Sequence, residues 1–150
     1  MTERREIQSL EDLRNLAQEI ASQRGSRLLL LLEGPMGAGK TQFTRFLVEA
    51  LGSGETASPS FAIHHNYASA QTSIDHFDLF RLESVDDLES TGFWDFFRAK
   101  EGVIVIEWAD RLDEFGIADQ LPFPGAWLRI RMRFSFGASG EQRLIEIERV

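Results

Sequence analysis

Apolar and polar positions change period several times along the chain, and each change predicts an element. Leu10, Leu13, Leu16, Ala17 and Ile20 recur at helical spacing. Ser9-Leu10-Glu11-Asp12 has the order of a capping box, with Asp in the last position. Gly25 can end that helix. Arg27 to Glu33 holds five leucines in a row between turn residues. An unbroken apolar run of this length reads as a strand buried on both faces, the kind found in parallel sheets. Lys40 to Leu51 returns to the helical period, with Phe43, Phe46, Leu47 and Ala50 inward and Gly52 after the end. Ser53 to Pro59 reads as a loop, and Phe61 to Ala68 and Ser73 to Phe77 as strands flanking a turn. Ser84-Val85-Asp86-Asp87 marks another helix start. Val103 to Glu107 is a second wholly apolar strand, closed by a carboxylate.

Near the C-terminus the period becomes two. Leu128, Ile130, Met132 and Phe134 alternate with Arg129, Arg131 and Arg133, as on a strand with one face in solvent. Gly137 to Gly140 can turn it back into Arg143 to Arg149. With that loop, Arg131 falls opposite Glu146 and Arg129 opposite Glu148. The arginine row then reads as cross-strand charge pairs, about 0.2–1 kcal/mol each, in preference to a nucleic-acid face. Together the elements predict an α/β fold. A mostly parallel central sheet is flanked by helices and ends in an antiparallel hairpin.

A chain of 150 residues suits one domain, residues 1–150. Its 43% hydrophobic and 27% charged residues are ordinary for a globular protein. The longest apolar run is far short of the roughly 20 residues of a bilayer span, so no membrane association is expected. The first eight residues are charged and carry no apolar signal region. Without cysteines there is no disulfide framework and no thiolate zinc site, and the expectation is a cytoplasmic protein. A net charge of −8 weighs against sequence-independent nucleic-acid binding. The acids cluster from Asp75 to Asp95, with only Arg81 opposing them, and the cluster reads as a solvated face. A magnesium site within it, or a docking face for a basic partner, are the functional alternatives.

Gly34-Pro35-Met36-Gly37-Ala38-Gly39-Lys40-Thr41 fits G-x-x-x-x-G-K-[ST]. A buried strand precedes it and an amphipathic helix follows, as a phosphate-binding loop requires. Gly34 and Gly39 let the backbone turn with no Cβ in the way, so that successive N–H groups face the phosphates. Gly37 and Ala38 keep the loop thin. The helix start near Lys40 points its positive dipole end at the same oxygens. Lys40 offers an ammonium to the β- and γ-phosphates, and Thr41 a hydroxyl to magnesium. The chain has no N-K-x-D sequence to read guanine, which favours ATP.

Hydrolysis also needs a carboxylate for magnesium and an oriented nucleophile. Glu107 closes a core strand at the edge where open α/β sheets bind ligands. It occupies the Walker B position, with Glu where Asp is usual. Asp78 closes Ile74-Asp75-His76-Phe77-Asp78. Either could serve magnesium while the other orients water.

Four segments resemble the bacterial TsaE (YjeE) ATPases of tRNA threonylcarbamoyladenosine synthesis. They are GPMGAGKT, SPSFAIHHNY, HFDLFRL and VIVIEWADRL, in family order across residues 34–112. The resemblance implies an ATPase that binds ATP and Mg2+ and works with TsaB and TsaD, meeting tRNA through that complex. It implies that Lys40 binds phosphate, that Thr41 and Glu107 serve magnesium, and that Asp78 is needed for hydrolysis. Nucleotide-binding residues are then Gly34, Pro35, Met36, Gly37, Ala38, Gly39, Lys40, Thr41 and Gln42, with Trp108 beside the site. Ser58 to Phe61 would be a switch-like loop sensing the γ-phosphate. The chain departs from the family pattern at Pro35 and Met36, where the loop usually reads GDLGAGKT. It departs again at Gln42, which replaces a threonine, and at Ala57-Ser58-Pro59-Ser60, where Thr-Ser-Pro-Thr is usual.

Within these motifs no glutamine or arginine stands out as a water-positioner or arginine finger. Arg81 and Arg111 follow the carboxylate segments and are expected in ion pairs. The expectation is slow hydrolysis alone, with the site completed by a partner. A small-molecule kinase would need an acceptor pocket and a late arginine-bearing lid, where this chain has an alternating hairpin. A non-catalytic ATP-binding module is the other alternative. His64, His65 and His76 lack a convincing metal spacing, and His76 is expected to pack or hydrogen-bond near Asp78.

Overall fold

The computed structural model describes residues 2–54, 63–121 and 127–149. Its centre is a strand buried on both faces. β2 (Arg27–Glu33) lies between β5 (Gly102–Glu107) and β6 (Leu128–Phe136), parallel to both. β4 (Ile74–Asp78) runs parallel to β5, and β3 (His64–Tyr67) closes that side antiparallel to β4. On the other side, β7 (Arg143–Arg149) pairs antiparallel with β6, and β1 (Thr2–Ile7) antiparallel with β7. The seven-stranded order is β1-β7-β6-β2-β5-β4-β3. The parallel core matches the sequence expectation, and antiparallel strands complete both sides.

The leucine run divides by parity. Leu28, Leu30 and Leu32 pack with α1 (Leu10–Ser22) and α2 (Lys40–Ala50) on one face of the sheet. Leu29 and Leu31 pack on the opposite face with residues of α3 (Val85–Glu89), α4 (Asp110–Glu114) and the 3-10 turn Phe93–Arg98. β5 divides likewise, Val103 and Val105 against Ile104 and Ile106. Helices on both faces of a parallel core make a three-layer α/β fold.

α1 starts as its sequence predicts. Ser9 Oγ accepts from the Asp12 N–H at 3.1 Å, and the Asp12 carboxylate reaches back to the Gln8 N–H at 3.0 Å. Leu10, expected on the inward face, is 65% exposed. α3 is capped in the same way by Ser84, which accepts from the Asp87 N–H at 3.2 Å.

β1 was not predicted. Its residues are nearly all polar, and only Ile7 is buried. Pairing with β7 makes the strand, and charged side chains suit its place at the sheet edge.

The hairpin register differs from the expectation by two residues. The loop runs from Gly137 to Gln142, closed by the Gly137 N–H donating to the Gln142 carbonyl at 2.8 Å. Arg131 therefore opposes Glu148 and Arg133 opposes Glu146, while Arg129 lies beyond the stretch paired among the described residues. Charge pairing also takes a different route. Glu33 on β2 meets Arg131 at 3.4 Å and Arg133 at 3.2 Å, and Glu146 meets Arg4 at 3.5 Å. The acidic cluster is only partly a solvated face. Glu83, Asp86, Asp87, Glu89 and Asp95 are exposed, but Asp75 is 7% exposed, bonded to His64 at 2.8 Å and Asn66 at 3.1 Å. Among the described residues, no helix is long and apolar enough to cross a membrane.

Candidate functional site

The parallel register brings three strand ends together. Leu32 of β2 and Asp78 of β4 both lie opposite Glu107 of β5. The glycine loop leaves β2 at this edge and re-enters the fold as α2. Its shape depends on glycine. Gly34, Gly37 and Gly39 have φ of 137°, 80° and 113°. At Gly34 a Cβ would come 2.3 Å from the Phe134 carbonyl oxygen of β6, so the loop is seated directly on the neighbouring strand. Gly39 caps α2 with no side-chain hydrogen bond, which leaves the first helical N–H groups for an anion.

Lys40 begins α2 and folds back over the loop. Its Nζ donates to the Gly34 carbonyl and, at 2.9 Å, to the Pro35 carbonyl, and it lies 4.1 Å from the centre of the Trp108 ring. Burial pushes the ammonium below the ordinary lysine value, and Glu107, Asp110 and Asp78 oppose that shift. Trp108 has φ of 58°, the only positive φ among described non-glycine residues, and its ring also meets Phe80 at 4.9 Å. A left-handed bulky residue of this kind is an inherent strain, and such strain collects at functional sites.

Beside the loop, the Thr41 hydroxyl donates to Glu107 Oε1 at 2.9 Å. Glu107 is 1% exposed, and its Oε2 is bonded to His76 Nε2. His76, expected to pack or hydrogen-bond near Asp78, bonds to Glu107, the residue opposite Asp78 on β5. Asp78 is fixed through Oδ1, which accepts from the Phe80 N–H at 3.0 Å.

Met36, Gly37, Gly39, Lys40, Thr41, Gln42, Asp78 and Trp108 share one cavity of about 410 Å3 with Phe80 and Arg45. Ala38 is buried under the loop, and Gly34 and Pro35 bound Lys40 from behind. Glu107 lies at the site's base, reached through Thr41. Ser58 to Phe61, the expected switch segment, falls outside the described residues. Arg45 was not singled out from sequence. It lies one helical turn after Thr41, and its Nε is buried with no hydrogen-bond partner. The helical spacing of four from Thr41 was the available signal. Arg111 is in the expected ion pair, 3.5 Å from Glu114, and also donates to the Leu82 carbonyl. A second groove, about 320 Å3, backs onto Gly37, Gly39 and Gln42 from the other side, between Leu10, Leu13 and Arg143.

The oxygen donors fit a hard cation. A hydroxyl and a buried carboxylate converge next to a loop that presents N–H groups and an ammonium. That combination is what a magnesium–nucleotide complex requires.

A family model described as threonylcarbamoyl adenosine biosynthesis protein TsaE matches residues 7–137. This chain belongs to the TsaE family. TsaE proteins of three bacteria illustrate the likeness. The Haemophilus influenzae protein is 35% identical over 85 residues, 56% of this chain and 53% of that protein. The Synechocystis protein is 34% identical over 100 residues, 65% of this chain and 64% of that protein. The Aquifex aeolicus protein is 32% identical over 108 residues, 70% of this chain and 75% of that protein. The chain thus spans only about half to three-quarters of the length of these TsaE relatives. The crystal structure of Bacillus subtilis YdiB superposes with a TM-score of 0.68 at 26% identity, covering 98% of this chain and 84% of that one. The α/β fold expected from the sequence is accordingly the fold observed.

Proposed function

We propose that this TsaE-family chain is a single-domain, magnesium-dependent ATPase that supports threonylcarbamoyladenosine formation in tRNA. It acts with TsaB and TsaD in the cytoplasm and meets tRNA through that assembly. The observation that carries the reading is the contact between Thr41 and Glu107, 2.9 Å long, beside the Lys40-bearing glycine loop.

Each residue then has a task. The loop N–H groups and the α2 N-terminus bind phosphate oxygens. Lys40 transfers its hydrogen bonds from the Gly34 and Pro35 carbonyls to the β- and γ-phosphates. An ammonium depressed by burial gains most from such an anion. Thr41 and Glu107 would hold magnesium, which would neutralise charge on the β- and γ-oxygens. Asp78 orients the water that attacks the γ-phosphorus as the bond to the β,γ-bridging oxygen breaks, yielding ADP and phosphate. Trp108 walls the cavity over Lys40.

The test is magnesium-dependent ATP hydrolysis by the chain alone and with purified TsaB and TsaD. Turnover alone should be slow, because Lys40 and Arg45 are the only cations lining the cavity among the described residues. The pair should raise it, since a group supplied in trans can contribute 10³–10⁵-fold in P-loop proteins. Asp78→Ala should keep ATP binding and lose the stimulated turnover. Fast hydrolysis alone, or no response to the pair, would overturn the partner-dependent reading.

A further inference from the structure

We infer that His76 is a positioning residue that holds the Glu107 carboxylate towards Thr41, and so sets how strongly a divalent cation couples to nucleotide binding. The inference rests on the proposed magnesium–nucleotide reading of the site.

The two oxygens of Glu107 have separate partners. Oε1 accepts from Thr41 at 2.9 Å, at the cavity side. Oε2 is held by His76 Nε2, inside the fold. His76 is 4% exposed and Glu107 1%, so water does not compete for that bond. An ionised carboxylate only accepts hydrogen bonds, which places the imidazole proton on Nε2. Nδ1 then faces the Tyr67 hydroxyl at 3.4 Å. The Tyr67 and His76 rings lie 22° apart in plane, with centroids 6.2 Å apart. Tyr67, His76, Glu107 and Thr41 thus form a chain of contacts from β3, through β4 and β5, to the start of α2.

Glu carries one more rotatable bond than Asp, the residue usual at a Walker B position. Without an internal hold its carboxylate could rotate away from Thr41, and ordering it would cost entropy on each binding event. His76 removes that freedom in advance. A partner that orients a metal-binding carboxylate typically changes metal affinity 10–100-fold when lost. The chain of contacts ends on the Thr41 hydroxyl and not on a backbone N–H, so metal-free nucleotide binding should be indifferent to His76.

The experiment compares wild type, His76→Gln, His76→Asn and His76→Leu. For each, the affinity of a non-hydrolysable ATP analogue is measured with magnesium and with EDTA. The ratio of the two is the magnesium enhancement. Gln can present an amide N–H near the position of Nε2, whereas Asn and Leu cannot. His76→Asn and His76→Leu should lose roughly 10–100-fold of the enhancement with the EDTA affinity unchanged, and His76→Gln should retain most of it. Enhancement unchanged in Asn and Leu, or lost equally in Gln, would overturn the inference. If Asn and Leu do not fold, nitrogen NMR of wild-type His76 decides. An Nε2-bound proton that persists on addition of Mg–ADP supports the inference, and an Nδ1-bound proton overturns it. A wild type with no magnesium enhancement would overturn the metal reading of the site as well, whereas a normal wild type with an indifferent His76→Asn would overturn the His76 inference alone.

Discussion

Lys40 is the residue on which the nucleotide reading can be tested most directly. It is nearly buried, it donates to two loop carbonyls, and Trp108 covers it. Replacing it with Ala removes charged hydrogen bonds to phosphate worth about 1.5–3 kcal/mol, a ten- to hundredfold loss of ATP affinity. A fluorescence or calorimetric titration measures this, and an unchanged curve would mean that the loop is not the site. At this scale the sequence was informative where chemistry is local. Lys40 and Thr41 follow from one contiguous motif, and Glu107 and Asp78 from the ends of apolar strands. Their mutual approach needed the strand register, in which Asp78 and Glu107 face each other. The bond from His76 to Glu107 could not be read, because it depends on which strands are neighbours. Neither could the left-handed backbone of Trp108, since nothing in its type predicts a φ of 58°. Arg45 was overlooked because a helix face becomes a cavity wall only once the cavity has a place.

Among the elements, the glycine loop and β6 behave as one unit. Gly34 packs on the Phe134 carbonyl, whereas a Cβ at Gly37 would meet nothing within 4 Å. Gly34→Ala combines a strained φ with a backbone clash and should cost on the order of 2–4 kcal/mol, or roughly 4–16 °C in Tm. Gly37→Ala carries only the left-handed penalty of about 1–2 kcal/mol. Thermal melts of the two variants check this, and equal losses would contradict the close seating of the loop. The main elements were legible because leucine parity and helical spacing act locally. The hairpin register was not, since Glu141 and Gln142 can belong to loop or strand with no change of pattern. β1 was illegible for a different reason: its pairing is a backbone property, and its side chains carry almost no apolar signal. Charge helps to hold it. Glu3 accepts from Arg5 and Arg149, and Arg5 also reaches Glu19 of α1 at 2.8 Å. The Arg5 hydrogen bond, with Arg149 adding, lowers the Glu3 carboxyl below its ordinary value. A depressed carboxyl contributes stability that is full above its unfolded value and is lost as pH falls through the lowered one. Glu3→Gln should therefore lower Tm slightly at neutral pH. The gap from wild type should close as the pH is taken down through the carboxylate range, and a gap independent of pH would remove Glu3 from the account.

Taken whole, a chain of net charge −8 is a poor host for a polyanion, and its overall field opposes ATP. The proposed ATP binding would therefore depend on a short-range device strong enough to prevail: the loop N–H groups, the α2 N-terminus and a desolvated Lys40. Magnesium makes the ligand less anionic and so reduces the opposition. These local terms should appear in global stability, because a ligand that binds only the folded chain stabilises it by mass action. At a free ATP concentration of about 100 times Kd, with magnesium, the gain is about 2.7 kcal/mol. For a domain of this size that corresponds to a rise in Tm of roughly 5–11 °C. Three melts resolve the contributions. Wild type with Mg–ATP should show the full rise, and wild type with ATP and EDTA at the same concentration a smaller one. Lys40→Ala with Mg–ATP should show a clearly smaller rise, since a ten- to hundredfold weaker site leaves the ligand at only about 1 to 10 times its Kd, a gain of roughly 0.4–1.4 kcal/mol. A full rise in Lys40→Ala would place the stabilising ligand somewhere other than the glycine loop, and equal rises with and without EDTA would leave Thr41 and Glu107 without a metal to hold.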